Sequence, residues 1–155
     1  MIEYVRHGSL FDADVEALVN PVNTVGHMGK GLALQFKKRF KANHAVYVAA
    51  CERGGVVLGK MLTWEEQTID GRRMVINFPT KGHWRVGSWL SDIVVGLDDL
   101  RRVLVERQVA SVALPALGCG LGGLSWGDVK PAIDAALGDL PATRVLVYEP
   151  ASLLR

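Results

Sequence analysis

The sequence predicts an α/β fold, a mostly parallel or mixed sheet with helices on both faces. Two observations carry that expectation. Short apolar runs alternate along the chain with longer amphipathic stretches. The two loops richest in glycine each leave an apolar run and enter an amphipathic one, as strand-to-helix turns do.

The elements follow in chain order. Ile2 to Val5 reads as a strand, and so does Ala17 to Asn20. Gly31 to Phe40 and Asn43 to Arg53 read as helices, with Asn43 the N-cap of the second. Met61 to Glu65 and Arg73 to Phe78 are strand-like, and Ile-Asp-Gly at 69–71 suits the turn between them. Ser88 is placed to cap a long helix through Gln108, with Leu90, Val94, Leu97, Leu100 and Leu104 on its apolar face. Ser111 to Pro115 is a buried strand. Ser125 and Asp128 match a capping pair opening a helix to Leu137, and Arg144 to Tyr148 is the last strand. There is no repeat, low-complexity segment or linker, so residues 1–155 read as one domain.

Composition narrows the function classes. At 155 residues and 49% hydrophobic content the chain can bury a full core, and no apolar run is long enough to span a bilayer. The first ten residues lack the layout of a signal peptide, which makes a cytoplasmic protein the simple expectation. Two cysteines, Cys51 and Cys119, make neither a disulfide framework nor a metal quartet, and no histidine or acidic cluster suggests a metal. A net charge of +2 does not by itself imply nucleic-acid binding. The basic clusters at Lys37–Lys41, Arg72–Arg73 and Lys81–Arg85 read on their own as solvated faces.

The glycine loops carry the chemistry. Ligands in such sheets bind outside the carboxyl ends of the strands, and both loops leave strand ends. The first runs through Gly26, Gly29 and Gly31; the second holds Gly118, Gly120, Gly122 and Gly123. Backbone N–H groups at a helix start, with no side chain in the way, form an anion site, and two such loops can grip a diphosphate. Gly118, Gly120 and Gly123 also satisfy a dinucleotide fingerprint, with Glu149 after the next strand. That unit closes the sequence, so the second half of a dehydrogenase is not expected. A phosphate-binding P-loop fails, because neither loop ends in Gly-Lys-Ser/Thr.

Together, Ala-Leu-Val-Asn-Pro-Val-Asn-Thr-Val-Gly-His-Met-Gly-Lys-Gly-Leu-Ala-Leu-Gln-Phe (17–36) and Pro-Ala-Leu-Gly-Cys-Gly-Leu-Gly-Gly-Leu-Ser-Trp (115–126) resemble the two ligand loops of macrodomains, the ADP-ribose-binding three-layer α/β/α fold with a central mixed sheet. The likeness runs from Glu3 to Tyr148 in the right order. Asn77-Phe-Pro-Thr-Lys-Gly-His-Trp-Arg85 further resembles the DarG branch of that family, the DNA ADP-ribosyl glycohydrolase antitoxins. Those proteins remove ADP-ribose from thymidine in single-stranded DNA, a modification installed by a DNA ADP-ribosyltransferase toxin. Proteins of that branch carry a toxin-binding region beyond the macrodomain, and a chain ending at Arg155 is expected to stop short of it.

The resemblance implies site residues. Asn23 would hold the distal ribose, within a first loop of Val22, Asn23, Thr24, Gly29, Lys30 and Gly31. Leu32, Ala33 and Phe36 open the helix beneath it, and Leu117, Gly118, Cys119, Gly120, Leu121 and Gly122 cradle the diphosphate. Gly8 and Ser9 stand at the adenine end, where macrodomains usually have Gly-Asp. Lys81, beside Thr80 and after Pro79, becomes the main catalytic residue, either attacking the anomeric carbon or assisting thymine to leave. His83 and Trp84 are candidate DNA base contacts. No cofactor is expected; the implied partners are ADP-ribose, ADP-ribosylated single-stranded DNA and a cognate toxin.

Two alternatives stay open. A pure ADP-ribose reader would not need Lys81. A hydrolase acting on protein glutamates usually carries an aspartate where this chain has Gly122, and glycine there is expected to leave space for a planar base. Trp64, Trp89 and Trp126 read as core or helix-start residues, Cys119 has no evident histidine partner, and His27 has no assigned role. Tyr148 suits either core packing or an adenine contact.

Overall fold

A computed structural model describes residues 2–69, 71–83 and 85–151. Strand β1 (Ile2–Val5) leads through a 3₁₀ turn at Leu10–Asp12 to β2 (Ala17–Asn23). Helices α1 (Gly31–Arg39) and α2 (Lys41–Glu52) follow, then β3 (Leu62–Thr68) and β4 (Gly71–Lys81). The chain continues through α3 (Leu90–Glu106), β5 (Ser111–Pro115), α4 (Trp126–Leu137) and β6 (Arg144–Tyr148). The strands form one sheet in the order β1-β6-β5-β2-β4-β3, parallel except for β3, which pairs antiparallel with β4. It is the mixed sheet expected.

Side chains alternate across a strand, and here both faces are covered. Val19, Ile76, Phe78, Val112, Leu114 and Val147 point to one layer, where they pack on Ile93, Leu97 and Leu100 of α3 and Val129 and Ile133 of α4. Leu18, Val75, Ala113 and Leu146 point the other way, to Phe36 of α1 and Phe40. This two-sided burial explains why the strands read as continuous apolar runs.

Four local expectations are corrected. Asn43 does not cap α2: Phe40 holds that position, and Asn43 is buried within the helix. Its amide pairs with Asn77, each Nδ2 donating to the other's Oδ1, and Asn20 also donates to Asn77 Oδ1. A buried amide needs such partners, and here they come from two strands distant in sequence. Ser88 does not cap α3 either; the cap position is Trp89, which is 73% exposed and stands at the helix start, one of its two expected places. Val94 faces solvent and Ile93 takes the buried place, while Leu97, Leu100 and Leu104 are buried as expected. Ser125 does occupy the N-cap of α4, but no side-chain capping bond forms there.

Candidate functional site

Strands β5, β2 and β4 are neighbours, so the loops leaving their carboxyl ends meet on one edge of the sheet. At that edge Asn23 and Lys81 are register partners on adjacent parallel strands, just past a bulge at Val22 and Asn23. The bulge re-aims the last residue of β2 relative to its neighbours. Asn23 is 5% exposed. Its Oδ1 accepts from the backbone N–H of Val25 (3.1 Å) and of His27 (3.2 Å), and its Nδ2 donates to the His27 carbonyl (2.7 Å). The side chain thus folds the first loop around itself. Tyr47, fully buried in α2, directs its hydroxyl to Asn23, and burial pushes its own ionisation well above the ordinary phenol range. The sequence gives no signal for Tyr47, because nothing local ties a mid-helix tyrosine to a loop 24 residues earlier.

Beyond the Asn23 turn, α1 begins at Gly31, whose φ of +59° suits glycine. Its cap residue, Lys30, offers no side-chain bond, so the first-turn N–H groups of Gly31, Leu32 and Ala33 are left for a ligand. The β5 loop supplies a second set. Within it Cys119, Gly123 and Leu124 donate to Ala116, Gly120 and Gly118. Among the described residues the intervening N–H groups of Gly120, Leu121 and Gly122 have no protein acceptor. Three successive donors without partners make this loop a candidate anion-binding nest. Leu121 reaches across to the start of α1, its Cδ1 lying 3.9 Å from where a Gly31 Cβ would stand. The β5 loop therefore lies against the start of α1.

The segment after Lys81 ties the loops together. The Gly82 carbonyl accepts from Thr24 N (3.0 Å) and from Thr24 Oγ1 (3.2 Å). At the far end Ser88 N donates to the Gly122 carbonyl at 2.9 Å. His83 is exposed, and its Nδ1 accepts from Arg85 N at 3.0 Å. Trp84 lies outside the described residues.

Several anticipated contacts are better read as supports. Phe36 and Leu117 have no exposed surface, so their side chains hold the loops from beneath and cannot touch a ligand. Thr80 is buried, with Oγ1 3.4 Å from the Val22 carbonyl. Ser9 caps the 3₁₀ turn by accepting from Phe11 N at 3.2 Å, and Tyr148 packs against the core. Cys119 is half-buried, and burial pushes its thiol up to about 11, which keeps it protonated and poorly nucleophilic. Gly122 overturns the idea of vacant space beside it. A Cβ there would come within 2.5 Å of both the Gly118 carbonyl oxygen and Ser88 Oγ. The side-chain position points into the loop, so glycine is required by packing. A Cβ on Gly120, by contrast, would meet nothing within 4 Å.

A family model for the Macro domain matches residues 19–133, which spans both loops and the intervening strand end. The chain belongs to the macrodomain family. A DNA ADP-ribosyl glycohydrolase of Mycobacterium tuberculosis is 50% identical over 151 residues, 97% of this chain and 43% of that protein. A fusion of a DNA ADP-ribosyl transferase and a DNA ADP-ribosyl glycohydrolase from Thermosipho africanus is 34% identical over 139 residues, 80% of this chain and 36% of that one. The macrodomain of M. tuberculosis DarG superposes with a TM-score of 0.93 at 50% identity, covering 97% of this chain and 98% of the other. The T. africanus DarTG structure in complex with ADP-ribose gives 0.90 at 33% identity, covering 97% and 42%. This macrodomain thus spans less than half the length of these two relatives.

Proposed function

We propose that this macrodomain hydrolyses the bond between ADP-ribose and thymidine in single-stranded DNA, as the antitoxin activity against a DNA ADP-ribosyltransferase. One observation carries the reading: Lys81 stands beside Asn23 in register, at the edge where the 120–122 N–H nest opens. Half identity to macrodomains of proteins named for that activity supports the choice of substrate.

In this reading the nest and the start of α1 hold the diphosphate, and the loop folded around Asn23 holds the distal ribose. The bond from the ribose anomeric carbon to the thymine nitrogen breaks, and its electron pair goes to the base. Water supplies the oxygen that replaces it, and a proton from that water ends on the base. Lys81 is the cation placed to stabilise charge on the departing base, an interaction that strengthens as the bond breaks. A covalent adduct between Lys81 and ribose, trapped with a slow substrate, would instead assign it as the nucleophile.

The test offers an ADP-ribosylated thymidine oligonucleotide and a glutamate-ADP-ribosylated protein side by side and measures free ADP-ribose. Release from the oligonucleotide is expected. Faster release from the protein would move the substrate class, and binding without release from either would leave a reader module.

A further inference from the structure

We propose that the outer face of α1 and the start of α2 form a track for the phosphates of the DNA strand flanking the modified base, an inference that rests on the substrate proposed above. Residues 17–51 contain Lys30, Lys37, Lys38, Arg39 and Lys41 and no aspartate or glutamate, in a chain whose net charge is only +2. All five are exposed, and among the described residues none has a carboxylate within ion-pair distance. Carboxylates elsewhere are amply used: Arg72, Arg101, Arg102, Arg107, Lys130 and Arg144 each have an acidic partner.

Helix electrostatics explain only part of this cluster. Lys37, Lys38 and Arg39 sit in the last turn of α1, where cations are favoured. Lys30 and Lys41 sit at the starts of α1 and α2, where cations are disfavoured. Arg39 stays exposed and lays its guanidinium over the Phe11 ring, 4.4 Å from the ring centre. Lys30 stands at the N-cap in extended backbone, and Lys37 lies in the last turn of the same helix. The stripe starts at the cleft, beside Gly31, and Lys38 lies about 10 Å further along the helix. Unpaired cations that descend from a nucleotide cleft match the charge of a strand leaving it.

The experiment compares the parent with the triple variant Lys37→Gln, Lys38→Gln, Lys41→Gln. It follows release of ADP-ribose from a modified oligonucleotide between 50 and 200 mM salt, with free ADP-ribose affinity and thermal unfolding alongside. The variant should show a KM raised on the order of tenfold at low salt and a log–log salt dependence shallower by about 2. Its kcat and its affinity for free ADP-ribose should match the parent. A salt dependence and KM equal to the parent's would overturn the track, whatever happens to unfolding. So would intact DNA kinetics with lost affinity for a toxin protein, which would give the face to a protein partner. If the parent releases nothing from DNA, the proposed substrate fails first. Binding of unmodified oligothymidine then decides the track on the same salt criterion.

Discussion

The hydroxyl of Tyr47 lies 2.8 Å from both the side-chain oxygen and the backbone carbonyl of Asn23, so a residue buried in α2 fixes the end of β2. Removing that hydroxyl leaves the fold's apolar packing intact and takes one donor from Asn23. Tyr47→Phe should cost about 1–2 kcal/mol of stability. It should also lower kcat more than it weakens ADP-ribose binding, since misplacing the ribose harms the reaction geometry most. Thermal unfolding and a kcat-against-KM comparison check it, and an unchanged kcat would confine Tyr47 to structure.

Lys81 separates enzyme from reader. Lys81→Ala should abolish release of ADP-ribose from DNA while leaving the fold and most ADP-ribose affinity in place. Single-turnover kinetics and calorimetry are the measurements. Turnover at the parent's rate would take Lys81 out of the mechanism.

Gly120 and Gly122 lie two residues apart in one loop, yet should fail differently. The parent should bind one ADP-ribose with micromolar affinity, on the order of −8 kcal/mol. Gly120→Val fills open cleft, so the variant should fold normally and bind poorly. Gly122→Ala collides with the Gly118 backbone and Ser88, so it should lower the melting temperature as well as affinity. Equal melting temperatures for the two variants would contradict the packing assigned to Gly122.

The thiol of Cys119 is held protonated by burial, with its ionisation moved from 9.0 to about 11. At neutral pH, Cys119→Ser should therefore keep the parent's turnover, and iodoacetamide should react slowly. A folded-state value above the unfolded one means that the thiol's contribution to stability is full below pH 9 and fades as pH rises toward 11. Rapid alkylation at pH 7 with loss of activity would point to a thiolate in the cleft.

Aromatic contacts to DNA are expected from Trp84, close to Lys81 in sequence. Stacking contributes roughly 1–3 kcal/mol per base, so Trp84→Ala should raise KM for the DNA substrate and leave free ADP-ribose affinity unaltered. A neutral result would remove Trp84 from substrate binding.

The sequence by itself determined the alternation of strands and helices, because apolar period and two-sided burial are written locally in runs such as 74–78 and 111–115. It also located both glycine loops, since their chemistry is backbone chemistry and glycine announces it. Only the tertiary structure decided what surrounds them. Asn43 reads as a cap from its neighbours, but a buried amide follows its partners, and Asn77 lies on β4, 34 residues away. Ser88 reads as a helix start, yet its N–H is taken by Gly122 from another loop. Val94 reads as core, but an apolar pair such as Ile93 and Val94 does not record locally which of the two turns inward. The Tyr47 bond to Asn23 and the register of Asn23 beside Lys81 depend on how distant segments dock, and docking is fixed by packing that no single stretch contains.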